Sequence, residues 1–191
     1  MLTDGELGLI WNACLDDDYG AILKLLMLTG QRANEIAQLR RNEVHDLLPA
    51  ERTKNARSHV IPLSEAAKGI LPWFRKGDRK FVFGRDDTGF SGWGKAKEKL
   101  DARVAEAKPL EHWTVHDLRR TVVTCMAELG VQPHIIEAVL NHVSGHKSGV
   151  AGIYNRAIYD KEKREALNLW AEYVMTLVEG RKAVVVPMRR V

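Results

Sequence analysis

Apolar residues recur at helical spacing along most of the chain. Thr3 followed three residues later by Glu6 is a capping-box signature, and Leu9, Ile10 and Cys14 behind it predict a helix running toward Leu15. The acidic run Asp16-Asp17-Asp18 ends it. Ile22, Leu25, Leu26 and Met27 make a broad apolar face over residues 19–28, and Thr29-Gly30 breaks this second helix. A short helix over 32–39 follows. Ser64 caps a helix over 64–74, residues 91–107 carry a charged amphipathic pattern closed by Pro109, and Thr114 caps a helix that stops at Gly130. Pro133 starts another, with Ile135, Ile136, Val139 and Leu140 on its apolar side. A loop over 144–149 and a helical segment around Ile153-Tyr154 precede a long helix over 160–178.

Strand signals are fewer. Residues 43–48, 51–54 and 58–63 read as three short strands, the last two joined by a turn at Asn55-Ala56-Arg57. Phe81-Val82-Phe83 reads as a buried extended piece, and Ala183-Val184-Val185-Val186 as an isolated β-prone tail after Gly180. The predicted class is α+β, mainly α-helical with a small three-stranded antiparallel sheet. No internal repeat and no Pro/Ser-rich linker divides the chain.

Composition agrees with a packed domain. The 191 residues are 45% hydrophobic and 28% charged, enough to bury a core without disulfide or metal staples and unlike a disordered or low-complexity chain. The 29 Lys and Arg against 25 Asp and Glu leave a net charge of +4, which permits a nucleic-acid partner without demanding one. Cys14 and Cys125 stand far apart in apolar helical contexts, so buried free thiols are expected, as in a reducing cytosol. The acidic first residues and the lack of a long apolar run argue against secretion and membrane insertion.

Several side chains are candidates for chemistry. Arg32 opens a helix directly after Thr29-Gly30-Gln31, where backbone amides and the positive dipole end favour an anion, and Glu35 lies one turn on. Taken alone, this segment is better described as a surface arginine paired with Glu35. His116 and Arg119 sit three apart on one helix face, offering an imidazole beside a guanidinium fork suited to a phosphodiester, although an ordinary helix surface explains such a pair too. His112 and His116 have the spacing of a zinc-binding helix, but Trp113 occupies the position where that pattern needs its glutamate.

The ordered combination is more specific than any part. The segments are Thr29-Gly30-Gln31-Arg32-Ala33-Asn34-Glu35-Ile36, Thr53-Lys54 with Val60-Ile61-Pro62-Leu63-Ser64, His116-Asp117-Leu118-Arg119-Arg120-Thr121, Leu140-Asn141-His142 and Gly152-Ile153-Tyr154-Asn155-Arg156. In these the chain resembles the catalytic domain of the tyrosine recombinases, specifically phage and genomic-island integrases.

The resemblance implies site-specific DNA integration and recombination by strand cleavage and rejoining. Tyr154 would attack the scissile phosphorus, leaving a 3′-phosphotyrosyl link and a free 5′-hydroxyl; its rivals are Tyr19, Tyr159 and Tyr173. Arg32 and Arg119 would grip the non-bridging oxygens. His116 and His142 would add hydrogen bonds, His116 also accepting the phenolic proton, and Lys54 would protonate the leaving oxygen. Arg52 and Arg57 flank the same turn as Lys54. Glu35 would orient a catalytic group from behind, and Arg120 would join Arg32, Lys54 and Arg119 in contacting DNA. Two arginines supplying the charge of a metal ion imply neither metal nor nucleotide cofactor.

The implied partners are double-stranded DNA at attachment sites, three further copies of the chain in a homotetramer on DNA, and accessory DNA-bending or directionality proteins, with no membrane. The implied place is the cytoplasm, at the nucleoid. Residues 1–180 would form the catalytic domain, with 181–191 a tail able to dock on a neighbouring copy; the N-terminal core-binding and arm-binding domains of full family members are expected to be absent. Asn141 stands where many relatives carry glycine, and Arg120 where histidine is frequent. Competing readings are a noncatalytic DNA-binding module and a type IB topoisomerase-like relaxing enzyme.

Overall fold

Capping chemistry sets the first two helices. In this computed structural model, which describes residues 1–44, 47–48, 58–72, 79–85, 88–142 and 159–180, Thr3 and Glu6 form the reciprocal capping box of α1 (Asp4–Ala13). The Glu6 carboxylate accepts from the Thr3 amide at 2.7 Å. Asp17 caps α2 (Asp18–Thr29), its carboxylate accepting from the Gly20 amide at 2.8 Å. Gly30 ends α2 in the left-handed region, φ +64°.

The apolar residues of α2 cover nearly its whole circumference, so it occupies the centre of the core. Around it pack α3 (Ala33–Ala37), α4 (Glu65–Ile70), α6 (Val115–Glu128) and α8 (Asp160–Val178). On the outside, α5 (Trp93–Ala107) lies against α1, while α7 (Pro133–Val139) bridges α6 and α8. Trp170 of α8 is fully buried, and its indole N–H donates to the Met27 carbonyl at 2.6 Å, fixing α8 to the central helix.

Among the described residues the expected three-stranded sheet is not seen. Among the described residues the ladder is two-stranded and antiparallel, β1 (Leu47–Leu48) with β2 (His59–Val60), Leu47 facing Val60 and Leu48 facing His59. Glu43, expected to begin the first strand, closes a 3-10 turn (Arg41–Glu43) instead, because its carboxylate folds back onto the Arg40 amide at 2.8 Å. Pro62, which has no N–H to give a ladder, follows soon after β2. The predicted middle strand over 51–54 lies outside the described residues. So do the loop over 144–149, the segment around Ile153-Tyr154 and the tail 183–186.

Smaller differences have similarly local causes. The helix capped by Ser64 stops at Ile70 because Pro72 holds Leu71 in an extended conformation. Phe81, Val82 and Phe83 are buried as expected, with Phe81 bridging Arg40. Both cysteines are buried and free, and burial pushes the Cys14 thiol up to about 12 and Cys125 up to about 11. Among the described residues no helix is long and apolar enough to cross a membrane.

At Gly30 the packing of two other helices leaves little room. A Cβ built there would lie 2.9 Å from both Leu140 Cδ2 and Val122 Cγ1, on a backbone that disfavours side chains. Gly30→Ala is expected to cost about 2 kcal/mol or more, from overpacking and left-handed strain together. Gly8 lies inside α1 with open space around its Cα, so Gly8→Ala should instead gain about 0.5–1 kcal/mol. Urea midpoints shifting in opposite directions would agree; coincident midpoints would contradict the packing described.

Candidate active site

Three consecutive backbone carbonyls at the end of α7 organise the candidate site. The last carbonyls of a helix have no intrahelical donors and carry the negative end of its dipole, so they attract cations and N–H groups. Here side chains from three other parts of the chain fill them. The Val139 carbonyl accepts from Gln31 Nε2 at 2.8 Å and pairs with His59 Nε2 at 2.9 Å. The Leu140 carbonyl accepts from Arg119 Nη2 at 2.8 Å, and the Asn141 carbonyl from Arg32 Nη2 at 3.5 Å.

Arg119 is buried, although it belongs to an amphipathic helix whose apolar residues Leu118 and Val122 are fully inside. Its second arm, Nη1, donates to the Gly30 carbonyl at 2.7 Å, so one guanidinium joins the ends of α2 and α7. Arg32 lies just past the α2 cap. Its Nη1 meets Glu35 Oε1 at 2.9 Å, while Glu35 Oε2 accepts from the Arg32 amide at 3.3 Å. Glu35 is only 5% exposed, so this is a buried support rather than an open surface pair. The helix-start amide expected to seat an external anion is thus occupied by the protein's own carboxylate.

Asn141 has φ +48°, in the left-handed region. The chain turns there after α7, which explains why glycine or asparagine suits this position. His142 follows at once, its side chain exposed and its amide donating to the Glu137 carbonyl at 2.9 Å. His116 is exposed in the first turn of α6, one turn before Arg119. Arg120 points to solvent and pairs with Asp117 at 3.4 Å.

The structure therefore brings Arg32, Arg119 and Glu35 together beside the backbone that leads into His142. Lys54 and Tyr154 lie outside the described residues. Of the other tyrosines, Tyr19 is buried at the far end of α2, and the Tyr173 hydroxyl donates to Asp4 at 2.6 Å. Burial, first of all, pushes both phenols above their ordinary range. Tyr159 precedes α8 at φ +54°, its ring 5.2 Å from that of His134. Among the described residues no group of three His, Cys, Asp or Glu could hold a metal ion, so His112 and His116 gain no third ligand there.

Electrostatics follow from this crowding. The Arg119 guanidinium is lowered to about 10, first by burial and then by the nearby Arg32 charge, with Glu35 opposing both; it remains cationic at neutral pH. His59 is lowered to about 4, first by burial and then by the Lys163 charge, with smaller contributions from Arg119 and Arg32. Lys163 of α8 is itself buried, donating to the Val60 carbonyl at 3.0 Å and pairing with Asp160 at 2.8 Å. Two fixed cations in a partly dry corner suit a phosphate group, since each guanidinium has more N–H donors than its carbonyl bonds use.

Sequence reasoning missed Gln31, His59 and Lys163 as parts of this arrangement. The available signal was a polar residue at an inward position of a predicted strand, which does not reveal its partner. Gln31 was visible only as a spacer between Gly30 and Arg32.

Comparison with known proteins identifies a family. Residues 7–160 match the phage integrase family. Prophage integrase IntA of Escherichia coli (strain K12) is 29% identical over 176 residues, covering 81% of this chain and 38% of that protein. Prophage integrase IntZ of the same organism is 31% identical over 172 residues, covering 83% of this chain and 40% of that protein. The chain thus spans two-fifths or less of the length of these curated relatives. With most of its length matched, its motifs in order and two of its arginines meeting at one helix end, the chain belongs to the phage integrase family.

Proposed function

We propose that this chain acts on double-stranded DNA as the catalytic part of a tyrosine site-specific recombinase, serving integration of a prophage or genomic island. The observation that carries this reading is the convergence of Arg32 and Arg119 on adjacent carbonyls, directly before His142. A phosphoryl transfer site needs fixed positive charge where negative charge accumulates, and buried Arg119 with partly buried Arg32 supplies it without reorganising.

In this reading the Tyr154 phenolic oxygen forms a bond to the scissile phosphorus, and the bond from phosphorus to the 5′-oxygen of the next nucleotide breaks. The phenolic proton passes to His116, and Lys54 gives a proton to the departing 5′-oxygen. Arg32 and Arg119 hold the non-bridging oxygens, with Glu35 steadying Arg32 from behind and His142 adding a hydrogen bond. The protein–DNA ester stores the bond energy until another 5′-hydroxyl attacks it, so neither ATP nor a metal ion takes part. Arg120 lies on the exposed side of the same helix as Arg119 and contributes charge toward the DNA backbone.

Residues 1–180 form the catalytic domain in this proposal, and residues 181–191 reach a neighbouring copy within a homotetramer on DNA. Accessory DNA-bending or directionality proteins complete the assembly. Its place of action is the cytoplasm, at the nucleoid.

Incubation with a nicked suicide duplex, followed by a denaturing gel and peptide mapping, tests the chemistry. A covalent adduct at Tyr154, lost in Tyr154→Phe, is the expected result; an adduct at Tyr159 would reassign the nucleophile, and DNA binding without any adduct would favour a noncatalytic module. Arg119→Lys should slow cleavage by about 10²–10³-fold, because lysine cannot join two carbonyls and still face a phosphate. A loss below tenfold would remove Arg119 from the transition state. Binding to duplex should weaken steeply with salt on a log–log plot, while cleavage persists in excess chelator. A flat salt response or loss of cleavage with chelator would count against this mechanism.

A further inference from the structure

We propose that His59 is a positioning residue of the arginine site, acting as a neutral Nε2–H donor that locks the end of α7 against β2 and so aligns Arg119 and Arg32. This rests on the recombinase reading only for its catalytic consequence; the alignment itself is a property of the folded chain. His59 is 5% exposed on β2, and its Nε2 lies 2.9 Å from the Val139 carbonyl oxygen. A carbonyl oxygen only accepts, so the Nε2 nitrogen must carry a proton.

The same oxygen accepts from Gln31 at 2.8 Å, which fills both of its lone-pair directions. The Val139 peptide is thereby held from two sides, by the loop after α2 and by β2. The next two carbonyls along the chain hold Arg119 and Arg32. Freedom gained at Val139 would pass directly into both guanidiniums, because Leu140 and Asn141 share its backbone and Asn141 already occupies a constrained left-handed turn.

The surroundings keep the ring neutral. The Lys163 ammonium from α8, Arg119 from α6 and Arg32 from the loop after α2 all disfavour a further positive charge. Glu35 and Asp160 are engaged with Arg32 and Lys163. Burial acts in the same direction as these cations. Histidine here supplies a long, rigid N–H donor without adding charge, whereas lysine or arginine would place another cation among three.

The test compares the full chain carrying His59→Leu, which keeps volume but no donor, His59→Asn, whose amide is too short to reach, and His59→Gln, which returns an N–H near the Nε2 position. Two readouts separate positioning from folding. Guanidinium proton exchange at Arg119, followed by 15N NMR without DNA, should quicken by about tenfold or more in Leu and Asn variants and return toward the parent rate in Gln. With saturating suicide duplex, the single-turnover cleavage rate should fall about 10²-fold in the same two variants, DNA affinity should hold, and Gln should recover most of the loss.

Should His59→Leu fail to fold, His59→Asn carries the comparison. Parent-like exchange in the donor-deficient variants, or equal impairment in the Gln variant, would overturn the proposal, the latter by showing that only packing matters. If the parent leaves DNA uncleaved, the recombinase reading fails while the exchange measurement still decides the role of His59.

Discussion

Two guanidinium groups repel one another, and this protein holds them in one corner by placing a helix end under them. The α7 carbonyls of Leu140 and Asn141 accept from Arg119 and Arg32 in turn, and the Gly30 carbonyl takes the second arm of Arg119. Each of these carbonyls terminates or follows a helix, where backbone acceptors would otherwise need water or a cap. The same bonds therefore satisfy the ends of α2 and α7 and orient the cations. Glu35 supplies the remaining negative charge beside Arg32, from a buried position.

That arrangement requires close approach between α2, α6 and α7, and the packing provides it. Gly30 allows Leu140 and Val122 to come within a distance no other residue would tolerate. Fully buried Leu118 and Val122 fix the rotation of α6, which directs Arg119 inward beside them. Trp170 and Lys163 anchor α8 on α2 and β2, and α8 in turn backs α7. The core and the site are thus one structure, with polar bonds at the edge of an apolar interior.

Family membership and local geometry meet at Asn141. A left-handed residue is needed where the chain leaves α7, and asparagine adopts that conformation at low cost where glycine is otherwise usual. Asparagine thereby keeps the turn intact, and with it the carbonyl that Arg32 contacts. A chain that covers 38% of one relative and 40% of another carries this corner within the matched region.

Helices were largely legible in the sequence because their signals are local. Thr3 with Glu6, Thr114 and Gly30 mark starts and stops through bonds within a few residues, and Pro133 marks a start through its fixed backbone angle. The long helix Asp160–Val178 also coincides with its predicted span, although no side chain caps its start. The expected sheet was less secure, since a strand is stable only through a partner, and the Glu43 side chain offered its own backbone a competing turn. At the site, motif order singled out Arg32 and Arg119. Sequence could not show that Glu35 would be buried or that His59 and Gln31 would share one carbonyl. Those relations join residues far apart in the chain through backbone oxygens, which every residue possesses and no side-chain pattern distinguishes; only the packing of α2, α6, α7 and β2 selects which oxygens face which donors.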